Sequence, residues 1–181
     1  QKEQETSNVI DTPITDEGIQ NVDDAASSPN DAEKAPFIRV TYEKIPYSLS
    51  CLSPCLVKLE ECLTPDLLTP KYREENKTNP MYGHCYHTTQ AMYYLLDTDT
   101  LDIMSATDWR GDKHWWLRDR ESSYDIDMTL DQYYSIGKEP PYADGKISKW
   151  YGWKHRPHGR TLKLIQKMQP DVANIKVIYY N

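Results

Sequence analysis

Asn79-Pro80-Met81-Tyr82-Gly83-His84-Cys85-Tyr86-His87-Thr88-Thr89-Gln90-Ala91-Met92-Tyr93-Tyr94-Leu95-Leu96 is the stretch on which the fold turns. Pro80 and Gly83 break regular structure at its start. Thr88, Ala91, Met92 and Leu95 then recur at helical spacing, which predicts a helix with Cys85 in its first turn. A thiol at that position sees the positive end of the helix dipole and backbone N–H groups without helical partners, and both favour thiolate. The placement suits a nucleophile better than a packing residue. A nucleophile needs a base and a group to orient that base, and both must come from elsewhere in the chain.

A second stretch supplies them. Lys113-His114-Trp115-Trp116-Leu117-Arg118, the polar turn Asp119-Arg120-Glu121-Ser122, and Ser123-Tyr124-Asp125-Ile126-Asp127-Met128-Thr129 have the pattern of a β-hairpin. With the turn centred between Arg120 and Glu121, Trp115 faces Ile126 and Leu117 faces Tyr124 on an apolar side. His114 then faces Asp127, and Trp116 faces Asp125, on the other. The register that joins the apolar residues therefore sets an imidazole opposite a carboxylate, with Cβ atoms about 5 Å apart.

The remaining segments frame these two. Phe37 to Tyr42 has strand composition and is expected to begin the folded part. Pro54 fits the first position of a helix whose stripe is Cys55, Leu56, Leu59, Cys62 and Leu63. Pro65 and Pro70 are expected to end that helix, and Lys71 to Asn79 to be a surface connection. Leu101 to Ala106 and Val172 to Tyr180 are expected strands, Leu130 to Tyr134 a helical turn, and residues 137–146 a loop. Thr161 to Met168 is expected to be a basic amphipathic helix with Leu162, Ile165 and Met168 inward.

Charge is unevenly spread over the 181 residues. Residues 1–36 hold nine acids and two lysines, a net charge of −7, whereas the remainder holds 19 of each sign. Residues 1–36 have the composition of an acidic arm, disordered or ordered only against a neighbouring subunit, and residues 37–181 that of a single domain. An acidic arm on a neutral domain argues against a nucleic-acid partner, and no Gly-rich phosphate loop is present. No apolar run reaches membrane-spanning length and no signal-peptide pattern is legible, so no membrane association is expected. Residue 1 is Gln rather than Met, as in a processed or trimmed chain. The four cysteines, Cys51, Cys55, Cys62 and Cys85, are too sparse to form a disulfide framework, which reads as a reducing compartment. Their spacing fits no common zinc site.

Cysteine, then histidine, then aspartate, on a helix start and two adjacent strands, is the order of papain-like and transglutaminase-like cysteine enzymes. Cys85 would attack a carbonyl, His114 would move the proton, and Asp127 would orient the imidazole. His84, Gln90 and Gln132 are candidates for supporting or oxyanion-binding groups, and Tyr82 and Trp116 for the wall of a substrate groove. A zinc site of Cys85, His87, His114 and Asp127 has suitable ligand types, but Cys85 and His87 are only two apart on a helix and would diverge. No metal or other cofactor is expected.

These residues also resemble a known family. Gly83-His84-Cys85, His114-Trp115-Trp116-Leu117 and Asp127-Met128-Thr129-Leu130-Asp131-Gln132-Tyr133 are similar to the Gly-x-Cys, His-[Tyr/Trp]-Trp and Asp-x-Thr-x-x-Gln-Phe blocks of the YunG-like family of small bacterial and phage proteins. The wider run from Tyr72 to Met168 resembles hypothetical phage proteins of that type. It includes the Pro140-Pro141-Tyr142 loop and Lys154-His155-Arg156-Pro157, and it covers a little over half the chain. The resemblance implies a papain-like α+β fold with the nucleophile helix packed on an antiparallel sheet, and a phage setting in the host cytoplasm or the virion. It does not supply a substrate. Bacterial members often carry Gln before the cysteine; His84 stands there in this chain, so the oxyanion donor stays open. Two functions follow as expectations. One is a cysteine hydrolase or acyltransferase acting on an amide or isopeptide bond of a protein or peptide. The other is an inactive virion protein whose arm, residues 1–36, binds a neighbouring subunit.

Overall fold

In a computed structural model, residues 7–13, 37–151 and 157–178 are described. They form an α+β fold of five helices and nine strands. Strands β1 (Ser7–Pro13), β2 (Phe37–Glu43) and β9 (Asn174–Ile178) make an antiparallel sheet in the order β1-β2-β9. Ser7–Pro13 thus pairs within the chain along the whole of Phe37–Glu43, although it belongs to the segment expected to be an arm. The rest of that segment lies outside the described residues, as does Lys154-His155-Arg156. Strands β3 (Ile45–Pro46) and β4 (Leu96–Asp97) form a short parallel pair.

The sheet that matters for function has the order β7-β6-β5-β8, all antiparallel: β5 (Leu101–Thr107), β6 (Lys113–Asp119), β7 (Asp125–Ile126) and β8 (Lys146–Ile147). Its hairpin register is a correction. Leu117 faces Ile126 and Arg118 faces Asp125, two residues away from the expected pairing. The turn is longer than four polar residues allow: Asp119 and Tyr124 close it through Asp119 N–H to Tyr124 C=O (2.9 Å), and Ser123 takes a left-handed φ of 62° inside it. Asp119 also accepts the Glu121 N–H at 2.9 Å, so the acid builds the turn. Tyr124, expected in the apolar face, is exposed. A slip of two leaves every side chain on its original face of the pleat, so His114 and Asp127 still share a face as diagonal neighbours.

The helices are α1 (Leu49–Cys62), α2 (Pro70–Asn76), α3 (Cys85–Leu95), α4 (Asp131–Tyr134) and α5 (Gly159–Met168). Helix α1 begins five residues before Pro54. Ser48 is extended at the cap position, and its carbonyl takes the Cys51 and Leu52 N–H groups, so the helix is established before the proline removes a single bond. The expected connection Lys71–Asn79 is largely helix α2, with Pro70 at its first position after an extended Thr69. Pro65–Leu67 is one turn of 3-10 helix.

Helix α3 lies between α5 on one side and β6 on the other. Its Thr88, Ala91, Met92 and Leu95 are buried, and Ala91, Met92 and Leu95 join Leu59, Leu67, Leu96, Leu117, Leu164 and Ile165 in one core. Each such aliphatic side chain contributes about 1.5–3 kcal/mol by leaving water. Two polar side chains fix the helix laterally. Thr89 Oγ1 donates to the Trp115 carbonyl at 3.0 Å, and Gln90 Oε1 accepts from His158 N–H (2.8 Å) and Thr161 Oγ1 (2.7 Å). Gln90 is therefore an anchor for α5 and does not reach the site. Among the described residues, no helix is long and apolar enough to cross a membrane.

Candidate active site

The turn before α3 is braced on both sides. Asn76 Nδ2 donates to the carbonyls of Pro80 (2.8 Å) and Tyr82 (3.0 Å), and Asn79 Nδ2 donates to the Gln132 carbonyl at 2.7 Å. Gly83 makes the turn with φ +85°, and a Cβ there would sit 2.6 Å from Tyr72 Cβ, so both conformation and space demand glycine. This delivers Cys85 at the first position of α3, 9 % exposed, with its thiol donating towards the Lys113 carbonyl at 3.7 Å.

His114 comes from the facing strand. Its Nε2 lies 2.6 Å from Asp127 Oδ2, and both side chains are 1 % exposed. Its Nδ1 is buried without a hydrogen bond to any other group, and the Cys85 sulfur acts on the same ring. Burial pulls the imidazole pKa down, but the hydrogen bond to Asp127 and the contact with Cys85 outweigh it, so His114 holds its proton well above the ordinary 6.5. The ring stacks on Trp116 at 5.7 Å and meets the edge of Tyr133 at 4.8 Å, which leaves it little freedom to turn.

Asp127 is held by more than the histidine. Its Oδ1 accepts the Thr129 N–H (2.9 Å) and Oγ1 (3.2 Å), and its Oδ2 also accepts the Tyr142 hydroxyl (2.9 Å). Gln132 Nε2 donates to the Thr129 carbonyl (3.0 Å) and to Thr129 Oγ1 (2.9 Å). Both amide protons are thus used, which makes Gln132 a support for Asp127 and unavailable to an oxyanion.

The other expectations sort by position. His84 is fully buried, with Nδ1 2.8 Å from His87 Nε2, and it does not line the cleft over Cys85 where an oxyanion donor would stand. Burial, against the opposing charge of Asp66, holds His84 down to about 4, and burial with the neighbouring His84 and Arg160 holds His87 well below the ordinary value, so both rings are neutral. His87 therefore faces His84 rather than Cys85, and among the described residues no three His, Cys, Asp or Glu side chains are spaced to hold a metal. Trp116 is fully buried behind His114, its Nε1 donating to Asp125 at 2.8 Å, and so it cannot line a groove. Its edge is covered by Gly145, where a Cβ would come within 2.5 Å of the indole. Tyr82 does line the cleft beside Cys85, with its hydroxyl donating to Asp112 at 2.7 Å.

The cleft over Cys85 has a volume of about 140 Å³ and is walled by Tyr72, Tyr82, Tyr133, Tyr86, Trp115 and Tyr151. That is room for one side chain or a scissile group, not for a large cofactor. Tyr142, Thr129 and Tyr133 were not singled out from sequence as site residues. Asp127-x-Thr129 carried a local signal, since aspartate commonly accepts the N–H two residues on. Tyr142 arrives from a 3-10 turn (Tyr142–Asp144), and nothing local announces it. Comparison with protein families, characterised proteins and solved structures finds no match for this chain.

Proposed function

We propose that this chain is a papain-like cysteine hydrolase or acyltransferase acting on an amide, isopeptide or related acyl bond. The observation that carries it is the buried His114–Asp127 pair, 2.6 Å apart, with its second ring nitrogen left for the thiol at the start of α3. In this reaction Cys85 acts as the thiolate whose proton His114 holds, and the sulfur attacks the carbonyl carbon. The oxyanion falls to the backbone N–H groups of the first turn of α3, which have no helical acceptors. Collapse of the tetrahedral species breaks the C–N bond as His114 protonates the leaving amine. His114 then takes a proton from water, or from an acceptor amine, which attacks the acyl-thioester and releases Cys85. Asp127 keeps Nε2 protonated and Nδ1 facing the sulfur throughout. The likeness to the YunG-like blocks supports the same reading and a phage setting.

The test is the rate of Cys85 alkylation by iodoacetamide against pH, in the wild type and in His114→Ala. Buried Cys55, whose thiol is pushed up to about 11 by burial, and half-buried Cys51 serve as internal references. Fast reaction well below pH 8 that disappears without His114 is the expected result. If Cys85 titrates like Cys51, or reacts only on unfolding, the enzyme reading fails and the non-catalytic virion protein takes its place.

A further inference from the structure

Lys113 precedes His114 on β6 and is exposed at the mouth of the cleft. Its ammonium lies over the Trp115 ring at 4.8 Å and over the Tyr151 ring at 5.4 Å, both of them cleft walls. The other formal charges on that wall, and Arg110 beside it, have polar or charged partners. Asp112 binds Lys71 Nζ (3.0 Å) and the Tyr82 hydroxyl (2.7 Å). Asp108 accepts the Arg110 and Asp112 N–H groups (2.9 and 3.1 Å) and the Tyr133 hydroxyl (3.3 Å). Arg110 pairs with Glu75 at 2.6 Å. Lys113 alone has no carboxylate against it among the described residues. Its ammonium is held by two aromatic faces, and its own backbone carbonyl touches the nucleophile.

We infer that Lys113 selects an acyl donor carrying a carboxylate beside the scissile carbonyl, paired with the ammonium that the Trp115 and Tyr151 rings hold at the cleft wall. An incoming anion there gains an unpaired cation without having to break an existing ion pair. Asp112 and Asp108 are already satisfied and disfavour an anion beside them, so the donor's carboxylate is drawn to Lys113. This rests on the acyl-transfer reading of Cys85.

Iodoacetate and iodoacetamide test it, because they attack the same sulfur and differ only in a carboxylate or a neutral amide next to the reacting carbon. The quantity measured is the ratio of their rates at Cys85, followed by peptide mapping of the full chain, in wild type, Lys113→Gln, Lys113→Glu and Lys113→Arg. The imidazolium of His114 favours iodoacetate in all four, so only the change between them reports on Lys113. The ratio is expected to fall about threefold or more in Lys113→Gln and further in Lys113→Glu, with the differences shrinking at high salt. Lys113→Arg should keep the wild-type ratio. A ratio unchanged in Lys113→Gln and Lys113→Glu, while iodoacetamide labelling remains fast and dependent on His114, overturns the inference and leaves the enzyme reading standing. If neither reagent reaches Cys85 in the folded protein, both fall together.

Discussion

Two buried imidazole pairs flank Cys85, and they differ in almost nothing but the partner. His114 lies 2.6 Å from a carboxylate oxygen of Asp127, and His84 lies 2.8 Å from a nitrogen of His87. All four side chains are buried. Burial is the largest influence on the rings of His114, His84 and His87, and it always disfavours the charged form. In the first pair the carboxylate, with the thiol, overcomes it, and His114 is raised. In the second no carboxylate bonds either ring, the charge of Asp66 on His84 is opposed by Lys167, and burial keeps both rings neutral. A histidine next to a cysteine in sequence is therefore not the one that holds a proton. The one that does comes from another strand and has its far nitrogen held by an acid.

The largest effect should come from breaking the charged pair. Asp127→Ala leaves His114 buried opposite no carboxylate, and loss of one partner of a buried pair costs about 3–5 kcal/mol. A loss of unfolding free energy in urea of less than a third of that would mean the pair is not charged in the folded state. The alkylation advantage of Cys85 should vanish in the same variant.

The pairs also predict opposite limbs of a pH–stability curve. His114 has a folded pKa of about 10 against 6.5 unfolded, so its contribution is full below 6.5 and is lost as pH rises towards 10. His84 has a folded value of about 4 against 6.5, so the native state loses stability as pH falls from 6.5 towards 4. Thermal denaturation across that range should show the alkaline limb flattened in Asp127→Asn and the acid limb flattened in His84→Asn. Identical curves for both variants would erase the distinction between the pairs.

A smaller loss is expected from His84→Ala, which leaves His87 without its hydrogen bond for about 1–3 kcal/mol. Its diagnostic reading is kinetic: the pH midpoint of Cys85 alkylation should stay where it is, and movement of that midpoint would make His84 part of the reacting set. Smallest of the four, Tyr142→Phe removes one of the hydrogen bonds on Asp127, worth about 1.5 kcal/mol. Because Thr129 and His114 still hold the carboxylate, alkylation at neutral pH should slow without losing its dependence on His114.

Several of these residues were legible before any coordinates. Helix α3 and the place of Cys85 on it follow from a run whose apolar period is unambiguous, and α5 from the same kind of pattern. The hairpin register was misread, yet His114 and Asp127 still meet, because a slip of two preserves the face while a slip of one would have destroyed it. Trp116 was misplaced for a related reason. Strand alternation says which side of the sheet a ring is on, but not whether a loop such as Tyr142–Gly145 covers that side. Helix α2 was missed because its start signal, Thr69-Pro70, precedes a polar stretch with no apolar stripe to mark it.

By itself, the chain determined a cysteine at a helix start and an imidazole and a carboxylate on one face of a hairpin, since local turn chemistry and pleat parity act over a few residues. Only the tertiary structure decided which histidine is charged, which amide is already spent, and that Lys113 stands without an acid among the described residues. Those properties depend on burial and on partners such as Tyr142 and Asp112, brought in from distant segments, and charge stabilisation reads what is near in space.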